Sequence, residues 1–187
     1  MPDLRVEKLC ADYGGEAVLR DFSYDFSRPG AYAIMGGSGV GKTTLLRVLA
    51  GLMRPRSGSI GDFPKLRCAV MFQEDRLLNQ LTALGNVELV SDVQSARRWL
   101  EAVELTDKAD ALPGELSGGQ RRRVALARCA AFGGDLLLLD EPFTGLDNEL
   151  KARIAPRLAA EFERVILSTH DADEAALFSA SVLRLGT

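Results

Sequence analysis

GGSGVGKT, residues 36–43, matches the pattern G-x-x-x-x-G-K-[ST] and lies between a predicted strand and a predicted helix. Residues 31–35 before it form a short apolar run, and residues 42–50 after it have helical composition and are followed by Gly51. The glycines allow backbone N–H groups to converge on phosphate oxygens without an intervening Cβ atom, and Lys42 adds a positive charge. The octapeptide therefore predicts a nucleotide-binding loop, although by itself it does not distinguish ATP from GTP.

The segments on either side of this loop predict an α/β fold. Alternating apolar residues at 4–9 and 22–26 predict half-buried antiparallel strands. Further strands are predicted at 67–72, 135–140, 165–169 and 182–185, and helices at 94–105, 118–132, 148–162 and 172–178. Pro156 predicts a kink or break in the third of these helices. The expected fold is a P-loop NTPase core with a mostly parallel central sheet, a small N-terminal antiparallel β part and a short helical insertion.

Composition narrows the classes of function. The 187 residues carry 23 basic and 26 acidic side chains, a formal net charge of −3, and 47% are hydrophobic. These values predict one globular domain, exclude dominant disorder and argue against a nucleic-acid partner. No apolar run approaches the roughly 18 residues of a membrane span, and the first five residues do not resemble a signal peptide. Cys10, Cys68 and Cys129 are scattered, which predicts reduced thiols in a cytosolic protein.

Two carboxylates, Asp140 and Glu141, directly follow the apolar run 136–139. Ligands of open α/β sheets bind outside the carboxyl ends of the strands, so both carboxylates are expected to face the phosphate loop. Asp140 suits coordination of Mg²⁺ together with the Thr43 hydroxyl, and Glu141 suits a general base for a water attacking the γ-phosphate. Alternatively, the pair only ends a buried strand at the surface. The phosphate loop favours the first interpretation.

LSGGQ, residues 116–120, predicts a second anion-binding helix start. Ser117 can cap the helix that follows, and Gly118 and Gly119 leave backbone N–H groups accessible. Alone, the pentapeptide is also compatible with a simple loop and helix cap. One chain thus carries two such helix starts, which need not serve the same ATP molecule.

These motifs and their order resemble those of the ATP-binding cassette ATPases over essentially all 187 residues. Residues 36–43 match the Walker A loop, 136–140 the Walker B strand and 116–120 the signature. Residues 145–147 resemble the D-loop, with glycine where alanine is commoner. Single residues match the Q-loop glutamine, the catalytic glutamate, the switch histidine and the adenine-stacking aromatic residue; they are Gln73, Glu141, His170 and Tyr13.

The resemblance implies ATP and Mg²⁺ as cofactors and a dimer, either a homodimer or a pseudo-dimer with a paralogous cassette. Each ATP would lie between the Walker A loop of one cassette and the signature of the other. Glu141, His170 and Lys42 are implied to be catalytic. The residues implied to organise Mg²⁺ are Thr43, Gln73 and Asp140. Those implied to bind ATP are Tyr13, Val18, Gly36, Gly37, Ser38, Gly39, Val40, Gly41, Lys42, Thr43, Thr44, Gln73, Ser117, Gly118, Gly119, Gln120 and Asp147.

For the whole chain, the resemblance implies a single ATPase domain over residues 1–187, with a helical subdomain at approximately 77–115. The implied function is to power solute transport by separate transmembrane permease subunits, as in bacterial importers, from the cytoplasmic face of the cell membrane. Residues 72–87 are similar to importers of small polar anions, thiamine or related solutes. Three alternatives stay open: a lipoprotein-release or export ATPase, a soluble ATPase of DNA repair or translation, and a regulatory module without hydrolysis.

Several smaller predictions concern the surface. The region after Gln73 is expected to form a groove for a coupling helix of the permease, because exposed leucines need a partner. The residues expected to contribute are Arg76, Leu77, Leu78 and Leu81. The three arginines at 121–123 are expected on a solvated or subunit-facing surface, and Trp99 in the core of the helical subdomain. The short interval between Gly51 and Gln73 predicts a trimmed antiparallel arm.

Overall fold

The phosphate loop lies at the carboxyl edge of a five-stranded parallel sheet. A computed structural model describes residues 2–13 and 16–186, and the side chains of Tyr13 and Glu16 lie outside that description. In chain order the strands are β1 (Arg5–Tyr13), β2 (Glu16–Asp25), β3 (Gly30–Met35), β4 (Ser57–Ser59), β5 (Cys68–Met71), β6 (Leu136–Asp140), β7 (Arg164–Ser168) and β8 (Ser181–Arg184). The parallel sheet has the order β5-β6-β7-β3-β8, and β2-β1-β4 form a separate antiparallel sheet. The predicted fold class is confirmed.

Helices connect these strands. In the described residues the α-helices are α1 (Lys42–Leu49), α2 (Ala83–Glu88), α3 (Val93–Ala102), α4 (Gly118–Phe132), α5 (Asn148–Glu161) and α6 (Ala172–Leu177), and three-residue 3-10 helices lie at Phe63–Lys65, Thr106–Lys108 and Pro113–Glu115. Side chains accept hydrogen bonds from the first turns of several of them, as the Asp92 carboxylate does from the Ser95 N–H at the start of α3. Such caps satisfy backbone donors that a helix start leaves without an intrahelical partner.

All five residues of strand β6, Leu136–Asp140, are buried. Leu137 and Leu139 pack into the apolar cluster on one face of the sheet, and Leu136 and Leu138 into the cluster on the other. Because these clusters cover both faces of the sheet at β6, which is also paired with β5 and β7, no polar alternation is required of it. Each fully buried leucine contributes on the order of 2 kcal/mol to folding. This packing holds the carboxyl end of β6, where Asp140 lies, in a fixed position.

The segment between β5 and α4 is helical, as predicted, but α2 was not predicted. Thr82 caps α2, because its hydroxyl accepts a hydrogen bond from the Gly85 N–H at 3.0 Å. The fully buried Asn86 binds the backbone of the preceding loop, including both the N–H and the carbonyl of Leu78. Trp99 is buried in the same cluster as α4 and one sheet face, as expected.

Of two other predictions, the structure contradicts the break at Pro156 and agrees with the trimmed arm. Helix α5 runs from Asn148 to Glu161 without a break, although Pro156 lies inside it. Proline removes one backbone hydrogen bond, and the burial of Ile154 and Leu158 on the core-facing side offsets that loss. The interval after Gly51 carries only the three-residue strand β4 in the antiparallel sheet, in line with a trimmed arm.

Among the described residues, every helix is too short or too polar to cross a bilayer.

Candidate active site

The phosphate loop is built so that its backbone can approach a ligand. Gly41 has φ of +104°, and a Cβ atom there would lie 2.9 Å from the Leu19 side chain and 3.0 Å from the Val18 carbonyl. Among the described residues, no side chain caps the start of α1, so its first N–H groups remain available to phosphate oxygens. The Lys42 ammonium donates to the Gly36 carbonyl at 2.8 Å and to the Gly37 carbonyl at 2.9 Å. The Lys42 ammonium therefore already lies against the backbone of the phosphate loop.

Asp140 lies against the start of α1. Its Oδ2 accepts a hydrogen bond from Thr43 Oγ1 at 2.8 Å, and its Oδ1 accepts one from Ser168 Oγ at 2.5 Å. These contacts join the ends of β6 and β7 to the phosphate loop. The hydroxyl and the carboxylate that were predicted to organise Mg²⁺ are thus adjacent.

Glu141 adopts an unusual backbone conformation. Its φ is +47°, in the left-handed region, which costs a non-glycine residue about 1–2 kcal/mol. The Glu141 N–H donates to the Ser168 carbonyl and hydroxyl, at 3.2 and 3.1 Å. Its carboxylate oxygen Oε1 lies 3.7 Å from Nδ1 of His170, whose side chain is 75% exposed. The strained peptide places a carboxylate and an imidazole together at the mouth of the site.

One cavity of about 470 Å³ unites most of the predicted residues. Its lining comprises Val18, Gly36, Gly37, Ser38, Gly39, Gly41, Lys42, Thr43, Thr44, Arg47, Gln73, Asp140, Glu141 and His170. Val40 instead packs against the apolar core, and the Tyr13 side chain lies outside the described residues. Arg47 was not singled out from the sequence, although its position four residues after Thr43 puts it on the same face of α1.

The signature residues, 116–120, are not among the residues that line that cavity. Ser117 and Gln120 form a reciprocal cap at the start of α4, with each side chain accepting from the other residue's backbone N–H at 3.2 and 2.8 Å. A Cβ atom on Gly119 would lie 3.1 Å from the carbonyl of Gly145, so the signature lies against the predicted D-loop. The chain therefore presents two separate helix starts.

Asp147 ends the predicted D-loop and caps α5. Its carboxylate accepts a hydrogen bond from the Leu150 N–H at 2.9 Å, and this bond holds the pKa of Asp147 below its ordinary value. The cap consequently stabilises the folded state while the carboxylate is ionised, and that contribution is lost as the pH falls through the lowered pKa. Asp147 does not line the 470 Å³ cavity, and it follows by two residues Gly145, whose carbonyl lies close to Gly119 of the signature.

The sequence profile of the family described as ABC transporter matches residues 19–144. The chain belongs to the ABC transporter family. It is 41% identical over 194 residues to the aliphatic sulfonates import ATP-binding protein SsuB 1 of Paracoccus denitrificans, covering 98% of this chain and 79% of that protein. It is 43% identical over 182 residues to SsuB of Delftia acidovorans, covering 92% and 75%.

A solved structure extends the likeness to three dimensions. The dimeric, post-hydrolysis state of the ATP-binding cassette MJ0796, bound to ADP and Pi, superposes with a TM-score of 0.85 at 26% identity. The match covers 97% of this chain and 93% of that one. As a member of the ABC transporter family the chain is an ATP-binding subunit with ATPase activity, and the resemblance inferred from the motifs is confirmed.

In this ABC ATPase, the expectation of a solvated or subunit-facing surface for residues 121–123 was wrong for Arg122, whereas Arg121 and Arg123 are partly exposed. Arg122 is only 4% exposed, and Arg121 and Arg123 each donate to backbone carbonyls. The signal was present in the sequence, since Ala125, Leu126 and Cys129 follow Arg122 at helical spacing and all three are buried. A charged residue on that face of α4 had to find partners inside the protein.

A second buried polar group supports the loop that carries His170. The Glu174 carboxylate accepts hydrogen bonds from Thr169 Oγ1 at 2.6 Å and from the Lys151 ammonium at 2.8 Å. Glu174 lies in α6 and Lys151 in α5, so the network ties both helices to the residue preceding His170. These residues could not be predicted from the sequence, because an ion pair between separate helices has no local pattern.

Proposed function

We propose that two copies of this chain, or this chain and a paralogue, pair head to tail and hydrolyse ATP between them to drive solute import through separate permease subunits. The observation that carries the proposal is the separation of the two helix starts. The cavity beside Lys42 contains the predicted catalytic residues, whereas Ser117 lies on another part of the surface. A second copy supplies the missing half of the site. The dimeric state of the related cassettes supports this arrangement.

In the proposed site, the side chains of the phosphate loop have distinct roles. Lys42 exchanges the carbonyls of Gly36 and Gly37 for oxygens of the β- and γ-phosphates. The partner subunit's Ser117 approaches the γ-phosphate from the opposite side with the start of its helix α4. Glu141 accepts a proton from the attacking water, and His170 holds that water and the γ-phosphate in line.

Turnover of the purified protein tests the proposal directly. Inorganic phosphate release should be measured at saturating ATP and Mg²⁺, with the protein concentration varied over at least a hundredfold range. A shared site predicts that specific activity rises with protein concentration, because only the dimer is complete. Absence of phosphate release would instead favour the regulatory module without hydrolysis.

The residues at the cavity fit Mg²⁺ bound with ATP. Thr43 Oγ1 and Asp140 Oδ2 lie 2.8 Å apart, and Gln73 lines the same cavity, so the donors are the hard oxygens that Mg²⁺ prefers. In the described residues there is no group of three histidine, cysteine or acidic side chains arranged as a metal site. Phosphate oxygens and waters would therefore complete the coordination. The bound ion would neutralise charge on the β- and γ-phosphates.

Thr43→Val should raise the Mg²⁺ concentration needed for half-maximal ATPase activity by about tenfold, as expected for the loss of one oxygen contact worth about 1.4 kcal/mol. Thr43→Ser, which keeps the hydroxyl, is the matched control and should stay within about twofold of the wild type. Both variants should be titrated with MgCl₂ at fixed ATP. An unchanged Mg²⁺ requirement in Thr43→Val would contradict a direct contact.

A groove of about 300 Å³ beside β5 is the proposed docking site for the permease. Its wall combines the apolar side chains of Leu52, Val70, Phe72 and Val90 with charged ones that include Arg76 and Arg128. Leu52 is 60% exposed, which is costly for a leucine without a partner. An amphipathic segment of a membrane subunit matches this surface, with its apolar face in the groove and flanking charges of both signs opposite Glu74, Asp75, Arg76 and Arg128.

The structure refines which predicted residues can contribute to that groove. Arg76 lines it, and its guanidinium stacks over the Phe72 ring at 4.4 Å. Leu77, in contrast, packs against the main apolar cluster, and Leu81 is half-buried. Charging Leu77 would therefore disturb the core as well as the groove, and Leu52 is the better probe. No local pattern marked Leu52, because it follows α1 in a turn.

Leu52→Glu should abolish stimulation of ATP hydrolysis by the co-purifying permease and leave basal turnover within about twofold of the wild type. The physical reason is that a carboxylate in the apolar groove would have to be desolvated on docking. Val182→Glu, at another exposed apolar position on β8, is the matched control and should retain stimulation. Stimulation of Leu52→Glu equal to that of the control would overturn this docking site.

We further propose that residues 77–115 form a helical subdomain of a single ATPase domain, since α2 and α3 share one apolar cluster with α4 and the sheet. Docking of the chain on a permease would place it at the inner face of the cell membrane.

The SsuB relatives are named for the import of aliphatic sulfonates, which makes an organic sulfonate the first solute to test. Uptake of a labelled alkanesulfonate by the chain with its co-purifying permease is the measurement.

A further inference from the structure

Arg122 connects the two segments on which the proposed chemistry depends. It lies in the second turn of α4 and is almost completely buried. A guanidinium offers five N–H donors in a rigid plane. In this protein those donors reach six oxygens, five of them backbone carbonyls.

One side of the guanidinium holds the segment that follows β6. Nη2 donates to the carbonyls of Asp140 and Glu141 at 2.8 and 2.7 Å, and Nε donates to the carbonyl of Pro142 at 3.2 Å. Three successive peptides around the left-handed Glu141 are thereby fixed by one side chain. A strained backbone conformation persists only where its surroundings determine it in this way.

The other side holds the segment that follows β5. Nη1 donates to the carbonyls of Phe72 and Gln73, both at 2.8 Å, and to Oδ1 of Asp75 at 3.2 Å. The same guanidinium thus joins the peptide of Gln73 to the peptide of Glu141. Phe72 and Asp75 also line the groove proposed for the permease.

We propose that Arg122 is a positioning residue for ATP hydrolysis, which holds the Glu141 carboxylate in place by fixing the backbone on both sides of it. This inference rests on the proposed function, because it assigns Arg122 a role through Glu141. Without Arg122, the Glu141 peptide is free to leave the left-handed conformation, and its carboxylate turns away from the attacking water. In the part of the chain that the structure describes, the hydrogen bonds of Arg122 reach residues 72–75 and 140–142 and not the phosphate loop, which keeps its affinity for ATP.

The test compares Arg122→Gln with Arg123→Gln. Arg123 is the neighbouring arginine of the same helix, and its Nη1 donates to the carbonyls of Val103 and Glu104, away from the site. Arg122→Gln should lower kcat about 30-fold or more, since misplacing a reacting group by about 1 Å can cost on the order of 100-fold. KM for ATP should change less than about threefold, and Arg123→Gln should keep both constants within about threefold. Equal kcat values in the two variants would overturn the proposal.

Two further variants separate positioning from a loss of folding. Arg122→Lys keeps the buried positive charge, so this variant should fold. The lysine ammonium cannot reach both segments, so kcat should fall about tenfold, and a wild-type kcat would refute the positioning role. In a Glu141→Gln background, Arg122→Gln should reduce single-turnover hydrolysis by less than about threefold further, because the two residues act as a unit. A multiplicative loss there would also refute it. A wild-type protein that releases no phosphate would instead refute the proposed function itself.

Discussion

Glu141→Gln is expected to lower ATP turnover by about a thousandfold, within the range of roughly 10²–10⁴ typical for the loss of a general base. The amide cannot accept a proton from the attacking water, yet it has the same shape and keeps the backbone contacts to Ser168. Phosphate release in a single-turnover assay with labelled ATP measures the loss. Glu149→Gln, a charge-matched change of an exposed residue in α5, should retain wild-type turnover. Equal turnover in the two variants would remove Glu141 from the catalytic role.

The same variant should also accumulate as an ATP-bound dimer. If hydrolysis is what allows the two subunits to separate, blocking it should leave the closed state populated. Size-exclusion chromatography of Glu141→Gln with ATP and Mg²⁺ is expected to show a species of twice the monomer mass, and with ADP it should show the monomer. A monomer at saturating ATP would count heavily against a shared site.

Mixing two inactive variants should restore activity. Lys42→Ala removes the charge beside the phosphates, and Ser117→Arg fills the start of α4 with a bulky cation. Each change should lower turnover at least about 100-fold, the size of effect seen when one charge-stabilising donor is removed. In a head-to-tail dimer of the two variants, one site keeps both Lys42 and the partner subunit's Ser117. With equal amounts, half of the dimers are mixed and each has one of its two sites intact, so recovery should approach about a quarter of wild-type turnover.

The mixture should be prepared without nucleotide, so that the subunits can exchange, and assayed after addition of ATP and Mg²⁺. The matched control combines Lys42→Ala with the double variant Lys42→Ala, Ser117→Arg, in which no dimer has an intact site. Recovery in that control would show that the variants were not inactive. If the first mixture forms dimers but recovers nothing, the two helix starts do not act on the same ATP across the interface.

Much of the fold and the site could be predicted because the relevant information is local. The phosphate loop needs glycines, a lysine and a helix start within eight residues, and these are contiguous in the chain. The position of Asp140 and Glu141 at the carboxyl end of a buried strand follows from a run of four leucines. Gln73 and His170 could be predicted as site residues from their spacing along the sequence relative to these motifs. All four side chains line the cavity beside Lys42.

What could not be predicted depends on partners distant in the sequence. Arg122 and Asp75 are 47 residues apart, and Lys151 and Glu174 are 23 apart. Leu77 and Leu52 are both leucines in irregular segments, and only packing shows that one contacts the core while the other is exposed. Pro156 could be expected to break α5, because the sequence does not show how much apolar surface the helix buries.

The sequence alone determined the parallel α/β framework and most of the residues that line the phosphate-loop cavity. Both follow from short-range patterns whose geometry is set by backbone sterics and hydrophobic periodicity. The tertiary structure alone decided that Arg122 is buried between the backbone of Gln73 and that of Glu141, and that the Glu174 carboxylate joins Lys151 to Thr169. These facts depend on how the chain closes long loops to satisfy buried polar groups, and a one-dimensional pattern does not contain that information.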